Sequence, residues 1–155
     1  MSSFKVFLRS LALVFPLGTT AVAAQETTWY PQCVTDRCVS QMAATEKDGG
    51  RAIASVTLTS LTSDKVIGVA VTLPLGVALE AGAQIVAGEE TLALPFKVCL
   101  PAGCTAFADL TDEMRSAFES ASSLQVRFFG QSDMAANAVE LPTAGLPDVL
   151  KRMTE

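Results

Sequence analysis

The sequence predicts a mainly β protein: an antiparallel β-sandwich with one internal helix and a short C-terminal helix. Three observations support this fold class. Short apolar segments recur with turn residues between them, β-branched residues are frequent in those segments, and the helical spacing of apolar residues is scarce. Many short strands at such spacing are typical of an antiparallel sandwich or barrel.

The first predicted strands lie between residues 29 and 61. Residues 29–42 read as strand on both sides of a pair of cysteines, and a polar turn follows at 47–50. Residues 51–61 alternate between apolar and polar types, which favours a half-buried strand. A bulge between Ile53 and Val56 is needed to keep one face of this strand apolar.

The central and C-terminal strands are short and closely spaced. Residues 66–73 form a near-continuous apolar run, which predicts a strand that is buried on both faces and ends before Pro74. Further short strands are predicted at 75–79, 84–87, 91–94, 96–99, 104–107, 124–129 and 138–141.

Two segments have the apolar spacing of helices. Thr111 can cap the first helix, and Asp112 and Glu113 place negative charge in its first turn, where the helix dipole favours it. The apolar face of this helix is Met114, Ala117, Phe118 and Ala121. The C-terminal helix spans 146–153, tolerates Pro147 in its first turn, and has an apolar face of Leu146, Val149, Leu150 and Met153.

Residues 1–24 have the three parts of a secretory signal peptide. Two cations come first, an apolar run follows at 11–17, and small residues complete the segment. The apolar run is shorter than the roughly 20 residues that a membrane span requires. We expect cleavage after Ala24 or Ala23, which leaves a single mature domain at residues 25–155.

Charge and composition exclude several function classes. The 155 residues include 11 Lys and Arg against 16 Asp and Glu, and loss of Lys5 and Arg9 with the signal takes the net charge from −5 to −7. This balance gives no basic footprint for nucleic acid. Histidine is absent, which excludes Ser-His and Cys-His catalytic pairs. We expect no nucleic-acid partner, no cofactor and no transmembrane segment in the mature chain.

The four cysteines form two closely spaced pairs, Cys33 with Cys38 and Cys99 with Cys104. An exported chain meets oxidising conditions, so local disulfides within each pair are the simplest of the three possible connectivities. The second pair brackets residues 100–103, where proline and glycine suit a turn. A zinc site that uses all four cysteines is the rival, although zinc knuckles usually have tighter spacing. No catalytic, cofactor-binding or metal-ligating residue is predicted.

Several other groups allow a functional and a structural interpretation. The acidic residues at 89–90 fit a solvated turn, and those at 109–113 lack the calcium-loop pattern and fit a helix start. Residues 63–65, Ser-Asp-Lys, fit a polar turn better than a nucleophile. The aromatics at 29–30 fit core packing at least as well as a recognition surface. The phenylalanines expected mostly in the core are Phe96, Phe107, Phe118, Phe128 and Phe129. Phe128 and Phe129 are adjacent, so they face opposite sides of a strand.

Residues 73–82 and 95–106 carry a family resemblance. The most specific element is the pattern PF-x2-C-x3-GC, which begins at Pro95, and a second is LP-x-GV, which begins at Leu73. With the aromatic-then-cysteine segment near Trp29, the helix of Phe118 and the segments 126–129 and 139–142, the whole mature chain resembles the invasion-associated locus B family. Two segments depart from the family pattern. The first cysteine pair is unusually close, and the approach to the last helix is Thr143-Ala144-Gly145-Leu146-Pro147.

The resemblance implies a small β-sandwich exported by Gram-negative bacteria, with a link to host-cell entry in some pathogens. It implies no catalytic residue, substrate or cofactor. We therefore expect a non-catalytic envelope protein that acts by macromolecular interaction or envelope support, with an unidentified envelope or host protein as partner. The expected location is the periplasm, with outer-membrane association or secretion as alternatives. The alternative function is a periplasmic hydrolase that uses carboxylates or a Ser/Lys pair. The sequence leaves the oligomeric state open.

Overall fold

The structure is a computed structural model that describes residues 28–45, 52–61 and 65–155. The predicted signal peptide, the polar turn at 47–50, and Ser63 and Asp64 of the second polar turn lie outside the described residues. The described strands are β1 (Gln32–Val34), β2 (Arg37–Thr45), β3 (Ala52–Leu61), β4 (Ile67–Leu73), β5 (Ala83–Ala87), β6 (Glu90–Leu94), β7 (Phe96–Leu100), β8 (Gly103–Asp109), β9 (Ser123–Phe129) and β10 (Ala136–Pro142). The helices are α1 (Asp112–Ser120), α2 (Leu146–Thr154) and a short 3-10 helix, Leu79–Ala81.

The strands form two antiparallel sheets that face each other across one apolar core. The six-stranded sheet has the order β1-β2-β3-β4-β8-β7, and the four-stranded sheet has the order β10-β9-β5-β6. Alternate residues of each inner strand point into the core; Val56 and Val69 do so from the first sheet, and Ile85 and Val126 from the second. The predicted mainly β fold class, with one internal and one C-terminal helix, is confirmed.

Three strand predictions need correction. β4 is buried on one face only, with Gly68, Ala70 and Thr72 half-buried on the other, because no second layer of described residues covers that face. Residues 75–79 are not a strand. Pro74 lacks a backbone donor and Gly76 has a φ of +97°, so the chain turns there and enters the 3-10 helix.

The third correction concerns the bulge in β3. Ala44 is paired with Ala54 and Thr45 with Ala52, so the extra residue is Ile53 itself. Ala54, not Ile53, takes the core-facing position before Val56. The bulge therefore lies one step earlier than the alternation predicts.

Two helices close the end of the sandwich where β9 begins and β10 ends. The Thr111 hydroxyl accepts a hydrogen bond from the Met114 backbone N–H at 3.2 Å, which is the predicted N-cap. Met114 and Phe118 are buried on α1, and all four predicted apolar residues of α2 are buried. The two helices also pack against each other.

Trp29 joins the N-terminal segment to this end. Its indole N–H donates to the carbonyl of Pro142 at 2.8 Å, and its backbone N–H donates to the carbonyl of Ala144 at 2.8 Å. The side chain is 2% exposed, whereas the neighbouring Tyr30 lies at the surface. We call the region formed by Trp29, α1 and α2 the helix end, and the opposite end of the sandwich the loop end.

Candidate interaction surface

The cysteines form two disulfides within hairpins. Cys33 is bonded to Cys38 across β1 and β2, and Cys99 is bonded to Cys104 across β7 and β8. Because each sulfur is held in a disulfide, the four cysteines are not arranged as a zinc site. Gly103 has a φ of +143°, and a Cβ at this position would collide with the carbonyl oxygen of Leu73.

The acidic candidates do not form a metal-binding cluster within the described residues. Among the described residues, no three acidic or cysteine side chains are placed to hold a metal ion together. Glu113 lies in the first turn of α1, where a backbone hydrogen bond, followed by the Thr111 hydroxyl, lowers its pKa. The role of Glu113 is therefore that of a helix-start carboxylate.

The Ser/Lys candidate has only one described member. Lys65 lies in an exposed position with a φ of +54°, just before β4. Its backbone N–H donates to the carbonyl of Leu61 at 3.3 Å, as in a turn.

Two hydrogen-bonded loops form the loop end. The first spans residues 75–81 and the second spans residues 130–135, and Val77 forms a bridge with Gly130. The Ala78 N–H donates to the carbonyl of Phe129 at 2.8 Å, and the Gln131 N–H donates to the carbonyl of Gly76 at 2.8 Å. These bonds fix the two loops to each other and to the end of β9.

The second loop is also shaped from within. The Gly130 N–H donates to the carbonyl of Ala135 at 3.0 Å, and the Asp133 carboxylate accepts from the Ala135 N–H at 3.0 Å. Met134 has a φ of +52°, which is uncommon for a residue with a side chain. The turn therefore fixes the backbone at Met134 and leaves its side chain exposed.

Three large apolar side chains are exposed at this end: Leu75 at 60%, Leu79 at 51% and Met134 at 59%. A cavity of about 390 Å³ between the two loops is lined by Leu79, Glu80, Met134 and their neighbours. A second cavity of about 270 Å³ also borders Leu79 and Glu80 and extends to Phe96. We call Leu75, Leu79, Glu80, Asp133 and Met134 the loop-end surface.

A second apolar groove lies on the outer face of the six-stranded sheet. Phe107, which the sequence places in the core, is 40% exposed because Ala106 and Ala108 take the inward positions of β8. Its ring lies over Gly68, where a Cβ would be only 2.8 Å from the Phe107 Cε2 atom. The groove of about 220 Å³ beside this ring is also lined by Leu61 and Val66.

The sequence analysis did not identify the loop-end surface. Leu75 and Leu79 were assigned to a strand, and Met134 belongs to no periodic segment. The useful signal was the pair of glycines at 76 and 82, both of which adopt positive φ and interrupt any strand between them. Glycines that bracket a short apolar segment indicate that turns interrupt the strand there, and this signal covers Leu79 but not Leu75 or Met134.

Comparisons with known proteins agree with this architecture. The crystal structure of invasion associated protein b from Bartonella henselae superposes with a TM-score of 0.72 at 16% sequence identity, covering 82% of this chain and 92% of that chain. A comparison with curated proteins finds no match. Among the described residues, no helix is long and apolar enough to cross a membrane. The family model for the invasion associated locus B (IalB) protein matches residues 11–154, and the chain therefore belongs to the IalB family.

Proposed function

We propose that this chain is an exported, non-catalytic envelope protein of the IalB type that acts by binding another macromolecule at its loop-end surface. Membership of the IalB family supports this, and so do two short-range disulfides of the kind that persist in oxidising compartments. In this proposal residues 1–24 are removed during export, and residues 25–155 form the periplasmic domain.

The observation that carries the proposal is the exposure of three large apolar side chains on loops that are held in place. Contiguous apolar patches on the surface of a soluble protein often mark interaction sites. Hydrogen bonds from Ala78 and Gln131 fix the loops before any partner arrives, so little conformational freedom is lost on binding. Leu79 and Met134, which border the larger cavity, are the expected anchors.

The charges of the surface indicate the chemistry of the partner. Glu80 and Asp133 flank the apolar residues, and no described Lys or Arg lines either cavity. A protein segment with an apolar side chain flanked by Lys or Arg would complement this surface in both shape and charge. We propose such a segment of an envelope protein as the partner.

A non-catalytic role is consistent with the chemistry available. The chain has no histidine, and its four cysteines are in disulfides, so the side chains that most often serve as general base or thiol nucleophile are not available.

The proposal is tested by retention of envelope proteins on the immobilised mature domain. Wild type is compared with the double variant Leu79→Ser, Met134→Ser and with a matched control, Leu61→Ser, Val98→Ser, which alters exposed apolar residues elsewhere. The expected result is one protein that is retained by wild type and the control but lost by the loop-end variant. Equal retention by all three proteins, or hydrolysis of periplasmic substrates without any retained protein, would contradict the proposal.

A further inference from the structure

The four edge strands of the two sheets differ in how they are protected. An exposed edge strand offers unpaired backbone groups to other chains. Natural proteins protect such edges with short strands, β-bulges, charged side chains or a covering element. β1 has three residues and is tied to β2 by the Cys33–Cys38 disulfide. β7 has a bulge at Lys97 and follows Pro95, and β6 lies against α1.

β10 is the least protected of the four: it carries one charge, Glu140, and lies against β2 and Trp29 towards Pro142, but no disulfide or bulge protects it. It pairs with β9 in regular register over seven residues, from Ala136 opposite Phe129 to Pro142 opposite Ser123. It contains no lysine and no bulge, and its only proline is its last residue. Ala136, Asn137, Ala138 and Glu140 are exposed.

The hydrogen bonds at the two ends of β10 show which backbone groups face outward. The Ala135 carbonyl accepts from Gly130, on the β9 side, whereas the Pro142 carbonyl accepts from the Trp29 indole, on the opposite side. The N–H and C=O groups of successive strand residues point to alternate sides. The backbone groups of Ala136, Ala138 and Glu140 therefore point away from β9, and no described residue pairs with them.

We propose that β10 is a dimerisation edge, where two copies of this chain pair antiparallel with Ala138 of each copy opposite Glu140 of the other. In this register the outward N–H and C=O groups of the two residues bond each other. Pro142 ends the pairing, because it has no N–H and its carbonyl is already bonded to Trp29.

The charges near the edge favour a second copy over an unrelated strand. Arg127 lies directly across from Ala138 on β9. Its Nε donates a hydrogen bond to the Gln125 side-chain oxygen, and among the described residues it makes no ion pair. In the proposed register, Glu140 of the second copy, Ala138 and Arg127 stand in one cross-strand row on the outer face. Two strand spacings, about 10 Å between backbones, are within the joint reach of extended Glu and Arg side chains.

The competing registers are less favourable. A register that places Glu140 opposite Glu140 would bring two carboxylates together, which is destabilising. A register centred on Ala138 would place Glu140 beside Phe129 rather than Arg127. The proposed register is two-fold symmetric, so both copies gain the same ion pair.

The dimer would join the two four-stranded sheets into one sheet of eight strands. Because the two β10 strands run in opposite directions, the two loop-end surfaces would lie at opposite ends of the assembly. The inference depends only on the β10 edge, so it stands or fails separately from the function proposed for the loop-end surface.

The test is the mass of the mature domain in sedimentation equilibrium over a wide concentration range. Wild type is expected to dimerise. Ala138→Pro removes an outward N–H but no bond to β9, so it should remain folded and monomeric. A monomeric wild type at every concentration, or a dimer that Ala138→Pro leaves unchanged in a folded protein, would overturn the proposal.

A charge exchange tests the register without relying on proline. Glu140→Arg alone and Arg127→Glu alone should each weaken the dimer by about tenfold, because each places like charges in both rows. The double variant should restore the wild-type dissociation constant, since the exchanged charges again face each other. Failure of the double variant to recover would refute the second-copy assignment.

Discussion

The two ends of the sandwich use apolar residues in opposite ways. At the helix end, Trp29, Phe118 and the apolar face of α2 are buried between the sheets. At the loop end, Leu75, Leu79 and Met134 are exposed, and the loops are held by backbone hydrogen bonds together with the buried side chain of Val77. The comparison indicates that the helix end supplies stability and that the loop end is available for binding. Each prediction below tests this difference.

The largest expected effect is loss of core packing at the helix end. Phe118→Ala should lower the free energy of unfolding by about 3–5 kcal/mol, because it leaves a cavity under α1. Leu79→Ala at the loop end should change it by about 0.5 kcal/mol or less, as for an exposed side chain. Urea unfolding of both variants measures the contrast. Similar losses for the two would show that the ends are not energetically distinct.

A pair of glycines tests the same contrast through the backbone. Gly145 and Gly76 both have positive φ, at +80° and +97°, but a Cβ at Gly145 would collide with the Trp29 carbonyl whereas Gly76 has open space around it. Gly76→Ala should lower the free energy of unfolding by about 1–2 kcal/mol, which is the cost of a positive φ for a residue with a side chain. Gly145→Ala should lower it by clearly more, because the collision with the Trp29 carbonyl adds to that cost. Thermal unfolding of the two variants decides this, and a smaller loss at Gly145 would argue against the Trp29 docking.

The two disulfides should contribute equally, since both close loops of the same length. Replacing either pair with alanine should cost about 2 kcal/mol in the chain-entropy estimate. Non-reducing peptide mapping should first show Cys33 linked to Cys38 and Cys99 linked to Cys104. A cross-link between the two pairs would refute this arrangement. A much larger loss of stability on removing one pair would show that the disulfides contribute to the difference in stability between the two ends.

The smallest expected effects concern the start of α1. Thr111→Ala should cost about 1 kcal/mol through loss of the N-cap hydrogen bond. The pKa of Glu113 lies below its ordinary value of 4.5, so the stabilisation by its charge is fully present above pH 4.5 and is lost as the pH falls below that value. Glu113→Gln should therefore show a slightly smaller loss of stability than wild type on acidification. Identical acid unfolding curves would contradict this role.

The helix end was predictable from the sequence because local rules apply there. Thr111 caps α1, and both apolar helix faces follow the 3.6-residue period, so capping and periodicity place them correctly. For Trp29 the sequence left two interpretations open, core packing and a recognition surface. Its hydrogen bond to Pro142 spans 113 residues, and no local sequence pattern indicates such a contact.

The loop end was not predictable for a related reason. An apolar run such as 75–79 has the composition of a strand, and only the pairing partners of a segment decide whether it extends. Phe107 was misplaced because its inward neighbours, Ala106 and Ala108, are small, and side-chain size suggested the reverse orientation. The direction of the β10 backbone groups also could not be predicted, because it is set by hydrogen bonds between residues that are distant in the sequence.

Site-specific photo-crosslinking in cells tests the central claim most directly. Benzoylphenylalanine is placed at Leu79 at the loop end and, as the control, at Val98, which is exposed on β7. Irradiation should link the protein to one envelope partner from position 79 and not from position 98. The same adduct from both positions, or adducts from position 98 alone, would contradict the assignment of the loop end as the binding surface.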